Sequence, residues 1–336
     1  MRLPANSNNL KQCKKLLEAG EIVPVPSETV YGLAGNALDE AAVRRIFSVK
    51  GRPLIDPLIC HFASMEAIRK VVSVPTEMEL LAKAFWPGAL TIVTHKQNKI
   101  PDIVTAGLPS AAVRMPSQPT FRSLLQSLDF PLAAPSANPF GYVSPTSANH
   151  VEQTLGNKVP AILDDGHCQI GIESTILDLR EPSQPVILRY GPIQPEEIQS
   201  ILKTTIKDAV HTPSVRAQNP QYNQVAPGRL SQHYSPNTEV ELIQNGSTSN
   251  LPVHTDIAIV INKRLNSSAT VPNLYWLSED GNLPTIAHNL FETLQKLDQL
   301  GYEKMIVEKC PDQGLGRAIN DRLERAAYKR NSAYSR

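Results

Sequence analysis

Residues 47–62 read "FSVKGRPLIDPLICHF". The stretch closes a helical pattern, "EAAVRRIFSVK", at Gly51 and opens an apolar strand within a few residues, the alternation expected of an α/β domain. Asp39 can cap that helix at its start, and Gly51 can end it. Lys50 and Arg52 flank the glycine. Once the helix has stopped, both cationic heads can converge on one ligand, and a polyphosphate suits that geometry. The alternative is two solvated cations beside the negative end of a helix.

Upstream, residues 8–19 carry Leu10, Cys13, Leu16 and Leu17 on one helical stripe. Gly20 stops it, and "EIVPVP" follows as a strand. Downstream, helices are expected from Ser64 and from Thr76. Short apolar stretches then recur between Gly and Pro: "ALTIVTHK", "AAVRMP", "PLAAPSAN", "AILDD", "STILDLR" and "PVILRY". A strand-rich α/β domain over residues 1–203 accounts for them. Residues 204–236, with prolines at 213, 220, 227 and 236, read as a linker. Residues 237–336 carry strands at "EVELIQ", "DIAIVI" and "KMIVEK" and helices near 283–300 and 317–330, a small α/β layer.

Among 336 residues, 33 basic side chains nearly cancel 32 acidic ones, so no global field draws the chain to nucleic acid or to an anionic membrane. Cys13, Cys60, Cys168 and Cys310 lie far apart, with no CxxC pair for zinc and no disulfide framework. The opening "MRLPANSNNLKQCKKLL" lacks the apolar core of a signal peptide, and no apolar run approaches a membrane span. The expectation is a cytoplasmic protein.

Two further segments bear on chemistry. In "PLAAPSAN" a strand runs into Ser136 and Asn138, short polar groups at a strand end, where α/β sheets commonly hold ligands; such a segment is also an ordinary turn. In "AAVRMP" Arg114 lies within an apolar strand and needs an anionic partner. A substrate carboxylate and an internal acid are equal candidates.

The ordered run "VPSETVYGLAGNAL…IFSVKGRPLIDPLICHF", "WPGALTIV", "TAGLPSAAVRMP", "AAPSAN", "SPTSA", "DDGHCQIGIESTILDL" and "VILRYGPI" resembles the YrdC-like domain of the threonylcarbamoyl-AMP synthases over roughly residues 5–203. "APGRLSQHYSP" and "GLGRAINDRLERAA" resemble the linker and C-terminal domain of the longer members. The resemblance implies a twisted, mixed sheet with flanking helices and a deep concave cleft, plus a small Rossmann-like C-terminal domain. It implies an enzyme, a nucleotidyltransferase that condenses L-threonine, bicarbonate and ATP to threonylcarbamoyl-AMP and pyrophosphate. That product feeds a downstream tRNA threonylcarbamoyl transferase complex.

By the resemblance, the KxR…SxN tetrad is Lys50, Arg52, Ser136 and Asn138. Lys50 and Arg52 hold the triphosphate, with Mg2+ travelling on the nucleotide. Asp56, Ser110, Ser144, Arg189 and His233 complete the ATP side. Thr29, His61, Arg114 and Ser174 take threonine, Arg114 receiving the carboxylate and His61 and Ser174 reading the hydroxyl. Without the family context, His61 reads as a satisfied core histidine. Ser27 stands where the family most often has threonine. Asp56 stands where it commonly has asparagine, placing a negative charge near the phosphates. In the linker, "PGRLSQHY" lacks the usual lysine and tyrosine. Arg229 is a candidate for the lost charge, His233 and Tyr234 are retained, and the segment is expected to act as a lid.

Rival readings are a YrdC-like module that binds RNA weakly without synthase activity, against which 5% aromatics and balanced charge argue, and a carbamoyl-phosphate relative, which would carry zinc fingers that unpaired cysteines cannot build. A serine hydrolase lacks its GxSxG elbow.

Overall fold

A computed structural model of the chain describes residues 1–212, 234–246, 255–265 and 273–328. The lid assigned to 204–236, with Arg229 and His233, falls largely outside the described residues.

The first elements are β1 (Arg2–Pro4), α1 (Ser7–Glu18), β2 (Val23–Val25), β3 (Gly32–Asn36), α2 (Glu40–Lys50) and β4 (Ile59–His61). There follow α3 (Met65–Arg69), α4 (Thr76–Phe85), β5 (Leu90–His95), α5 (Asp102–Thr105), β6 (Ser110–Arg114), α6 (Pro119–Ser127), β7 (Leu132–Ala133) and α7 (Ala148–Leu155). Next come β8 (Ile162–Asp164), β9 (Thr175–Asp178), β10 (Val186–Arg189), α8 (Pro195–Leu202) and β11 (Lys207–Asp208).

Nine strands form one mixed sheet in the order β11-β10-β9-β5-β6-β4-β7-β3-β2, while β1 and β8 pair separately and in parallel. The β4–β6, β5–β9 and β10–β11 pairs are parallel; the rest are antiparallel. The sheet thus runs on to Asp208, whose neighbour Ala209 packs with Ile59, Val93, Ala112, Ile176, Val186 and Leu188 in one core cluster. A second cluster joins α1 and α6 to the strands through Cys13, Leu17, Val23, Val25, Phe121, Leu124, Leu132 and Leu163. Truncating a fully buried leucine there, Leu17 for example, costs about 2–5 kcal/mol.

Helix α2 shows how the sequence places its last residue. The Asp39 side chain accepts from the Ala41 amide at 2.9 Å and fixes the start. Ala42, Val43, Ile46 and Phe47 are buried along one face. Gly51 at φ 63° takes the left-handed cap that ends the helix. Lys50 is thereby held at the helix end, and Arg52 leaves in a new direction.

A second compact unit comprises Gly141–Ser144, Ile170–Ile172 and the chain from Leu230. Its described strands are β12 (Glu239–Ile243), β13 (Ile257–Lys263), β14 (Leu274–Ser278) and β15 (Lys304–Glu308), all parallel in the order β12-β15-β13-β14. Its helices are α9 (Leu283–Gln299) and α10 (Leu315–Ala326). The C-terminal helix therefore begins two residues before the expected 317 and stops four short of 330. Within this unit Gly171, at φ 84°, has no room for a side chain, since a Cβ there would lie 2.5 Å from the Ala287 carbonyl oxygen. Tyr234 is buried, stacks on Phe291 at 5.6 Å and lies beneath the Arg322 guanidinium.

Candidate active site

Lys50 is buried at the end of α2, and its Nζ donates to the carbonyl oxygens of Ser136 and Asn138, each at 2.6 Å. All three members of the tetrad named here therefore meet, across 86 and 88 residues of chain. Burial, and then the charge of Arg52, pulls the Lys50 ammonium well below its ordinary value, with Asp56 opposing. An anion arriving at Lys50 would favour the charged form and be held by it.

Arg52 is turned towards its own loop. Its Nε donates to the Asp56 carbonyl at 3.0 Å and an Nη to that of Pro57 at 2.7 Å. The guanidinium also lies 2.9 Å from Asp56 Oδ2, an ion pair by distance whose angle does not make a hydrogen bond. Burial raises the Asp56 carboxyl above its ordinary value, against Arg52, Lys50 and Arg189. Two arginines beside one carboxylate leave an excess of positive charge, which Lys50 increases when it is protonated, as a polyphosphate site requires.

Arg189 ends β10 beside a register shift. Its Nε donates to the Ser174 carbonyl at 3.0 Å and an Nη to Ser174 Oγ at 3.1 Å, while that hydroxyl also bonds Thr91 Oγ1 at 2.8 Å. Ser110 opens β6 with its hydroxyl buried and unbonded. Ser144 falls in the second unit, where its carbonyl accepts from Gln295 at 2.9 Å. His233 lies outside the described residues.

Of the residues expected to take threonine, His61 and Arg114 are register partners at the last positions of β4 and β6. Arg114 donates from Nε to the Gly88 carbonyl at 3.1 Å, from one Nη to Thr29 Oγ1 at 3.0 Å and from the other to Glu28 Oε1 at 2.5 Å. Arg114 thus has an internal acid as partner. Sequence reasoning missed Glu28; its position between Ser27 and Thr29, in a motif it had already singled out, was the available signal. Ser27 Oγ bonds the Val30 carbonyl at 2.5 Å and accepts from the amides of Thr29 and Val30, so the turn that presents Glu28 is fixed locally. Burial alone would raise the Glu28 carboxyl, but Arg114 outweighs it, with the amides of Glu28 and Ser117 assisting, and holds it below its ordinary value. His61 is buried with Nδ1 unbonded; burial first, then the Arg114 charge, brings its pKa down to about 3.

The site thus has a cationic side suited to phosphates and a side where a guanidinium, a carboxylate, a hydroxyl and a neutral imidazole lie together. A mixed α/β fold carrying that pair of environments suits the class of enzymes that join a nucleotide to a small polar substrate. Residues 15–191 match the Sua5/YciO/YrdC family model, described as "Telomere recombination", and residues 193–328 match "Threonylcarbamoyl-AMP synthase, C-terminal domain". The chain is 39% identical to the threonylcarbamoyl-AMP synthase of Pyrococcus abyssi, over 93% of this chain and 92% of the relative. It is 34% identical to that of Bacillus subtilis, over 97% and 94%. The crystal structure of P. abyssi Sua5 complexed with L-threonine superposes with a TM-score of 0.87 at 35% identity, covering 97% of both chains. The chain belongs to the threonylcarbamoyl-AMP synthase family, AMP-forming enzymes that use ATP and L-threonine and serve tRNA modification. No described helix is long and apolar enough to cross a membrane.

Proposed function

We propose that the chain condenses L-threonine, bicarbonate and ATP to threonylcarbamoyl-AMP and pyrophosphate, with the triphosphate on Lys50, Arg52 and Arg189 and the amino acid on Thr29, His61, Arg114 and Ser174. The observation that carries this assignment is Lys50 Nζ, held 2.6 Å from the carbonyls of both Ser136 and Asn138. The amine and bicarbonate form a carbamate that water would destroy, so a buried site serves the chemistry by holding its oxygen in line with the α-phosphate. Charge that builds up as pyrophosphate departs is offset by the same cations. Ser110, Ser136, Asn138, Ser144 and His233 complete the nucleotide side in this reading.

Mg2+ enters with the nucleotide. Mg2+ on a nucleotide is held mainly by phosphate oxygens and water, and Asp56 is the carboxylate beside the cations. When bound, it would neutralise phosphate charge. The wider assignment is a catalytic domain that extends past residue 203 to take in β11, and a C-terminal domain that includes Tyr234 and the chain beyond it. It places the protein in the cytoplasm, handing its product to a tRNA threonylcarbamoyl transferase complex.

The test is pyrophosphate release from ATP by the purified protein, comparing L-threonine with L-valine and L-serine, with and without bicarbonate. Release that needs both L-threonine and bicarbonate, and that falls at least about 100-fold in Lys50→Ala, is expected. Salt-dependent RNA binding without any release would replace this reading with that of a binding module.

A further inference from the structure

Glu28 has a feature that its pairing with Arg114 does not explain. By distance and angle Oε1 accepts from Arg114 while Oε2, buried, completes no hydrogen bond; the amides of Glu28 and Ser117 steady the charge from nearby without satisfying that oxygen. The residue is 3% exposed, so water does not solvate that oxygen freely. A buried carboxylate oxygen left unbonded is costly, and such a group calls for a reason.

Arg114 is incomplete in a matching way. Among the described residues, Gly88, Thr29 and Glu28 take three of the five N–H groups of its guanidinium. One N–H on each Nη remains. The ion pair therefore presents, side by side, cationic donors with capacity left and an anionic acceptor with capacity left. A free amino acid is a zwitterion with the opposite arrangement, its carboxylate one carbon away from its ammonium.

We infer that Glu28 is the acceptor for the α-amino group of the amino-acid substrate, Oε2 receiving its N–H while the remaining N–H groups of Arg114 receive its carboxylate. The inference rests on the reading that threonine occupies the side of the site formed by Thr29, His61 and Arg114. Glu28 then acts as a binding and positioning group. Its carboxyl is held below its ordinary value by Arg114, which suits an acceptor that stays ionised and disfavours a base that must pick up a proton. Ammonium and bicarbonate combine to carbamate, one water and one proton. One ammonium proton leaves in the water with the bicarbonate hydroxyl and the other is released to solvent, so Glu28 need not take it, and the same oxygen can accept from the ammonium before carbamate formation and from the single carbamate N–H after it. The contact would aim the nitrogen throughout the reaction, and it would reject carboxylates that have no amino group.

The test is calorimetric binding to the full-length protein of L-threonine and of its deamino analogue, (R)-3-hydroxybutanoate, for wild type, Glu28→Gln and Arg114→Ala. Wild type should prefer L-threonine by roughly 10- to 100-fold, the range for a hydrogen bond to a charged group. Glu28→Gln should bind L-threonine more weakly while holding the analogue as well as wild type does, so that the preference collapses. Arg114→Ala should lose both ligands. ATP affinity and melting temperature report whether each variant is folded, and the wild-type comparison needs no variant at all. Equal affinity of wild type for both ligands, or an undiminished preference in Glu28→Gln, would overturn the inference. Equal losses of both ligands in Glu28→Gln would also overturn it, since Glu28 would then act only by holding Arg114. Failure of the underlying reading looks different: L-threonine would bind Arg114→Ala as tightly as wild type.

Discussion

His61 and Arg114 are register partners at the final positions of two neighbouring parallel strands, so their side chains leave the same face of the sheet at the ends of two interior strands. The proximity has an electrostatic consequence. The guanidinium adds to burial in keeping the imidazole neutral, with a pKa brought down from 6.5 to about 3.

Protonation of His61 is therefore linked to unfolding. Its folded pKa is depressed, so the unfolded chain binds the extra proton first; the stability is present above pH 6.5 and is lost as pH falls towards about 3. Over that window the slope approaches about 1.4 kcal/mol per pH unit from this group. Urea denaturation at several pH values should show a shallower acid limb for His61→Gln than for wild type. Parallel limbs would mean that His61 titrates normally in the fold.

ATP binding should take up protons. Burial and Arg52 push Lys50 well below its ordinary value in the free protein, and phosphate oxygens would restore its charge. Titrations of ATP in buffers of different ionisation enthalpy should reveal net proton uptake, and Lys50→Met should abolish that uptake along with most of the affinity. Uptake that persists in the variant would assign the proton to another group.

In the proposed site Asp56 competes with phosphate for Arg52. Its carboxylate lies 2.9 Å from the guanidinium, and neither side chain is more than 6% exposed. Asp56→Asn removes a negative charge next to the triphosphate and should tighten ATP binding by about tenfold. The free protein should melt at a lower temperature, because Arg52 loses its carboxylate partner, and saturating ATP should restore the loss. Unchanged ATP affinity would place the triphosphate away from Arg52.

How much of this was legible in the sequence depended on range. Helix α2 could be read from end to end, because Asp39, the buried stripe and Gly51 all act within one helix. The approach of Lys50 to Ser136 and Asn138 spans more than 80 residues, and periodicity carries no such information; it came through the family resemblance. Glu28 was passed over because a glutamate between Ser27 and Thr29 reads as a solvated loop charge until Arg114 is brought to it. Three-residue β1 contains a proline and has no alternation to detect, and β14 is half exposed, so both escaped notice. Helix α6 was readable but missed: Pro119 stands at its start, and Gln118 caps the Phe121 amide at 2.7 Å.

His61, Arg114 and Arg189 are each the last residue of a strand, and Ser110 is the first of one. Groups proposed to hold substrate are thus carried where backbone pairing stops. A designer seeking acceptance of a different amino acid could exchange His61 at the end of β4 while leaving the interior ladder of the nine-stranded sheet intact. Retargeting and folding would then be separable problems, solved by different residues of the same strands.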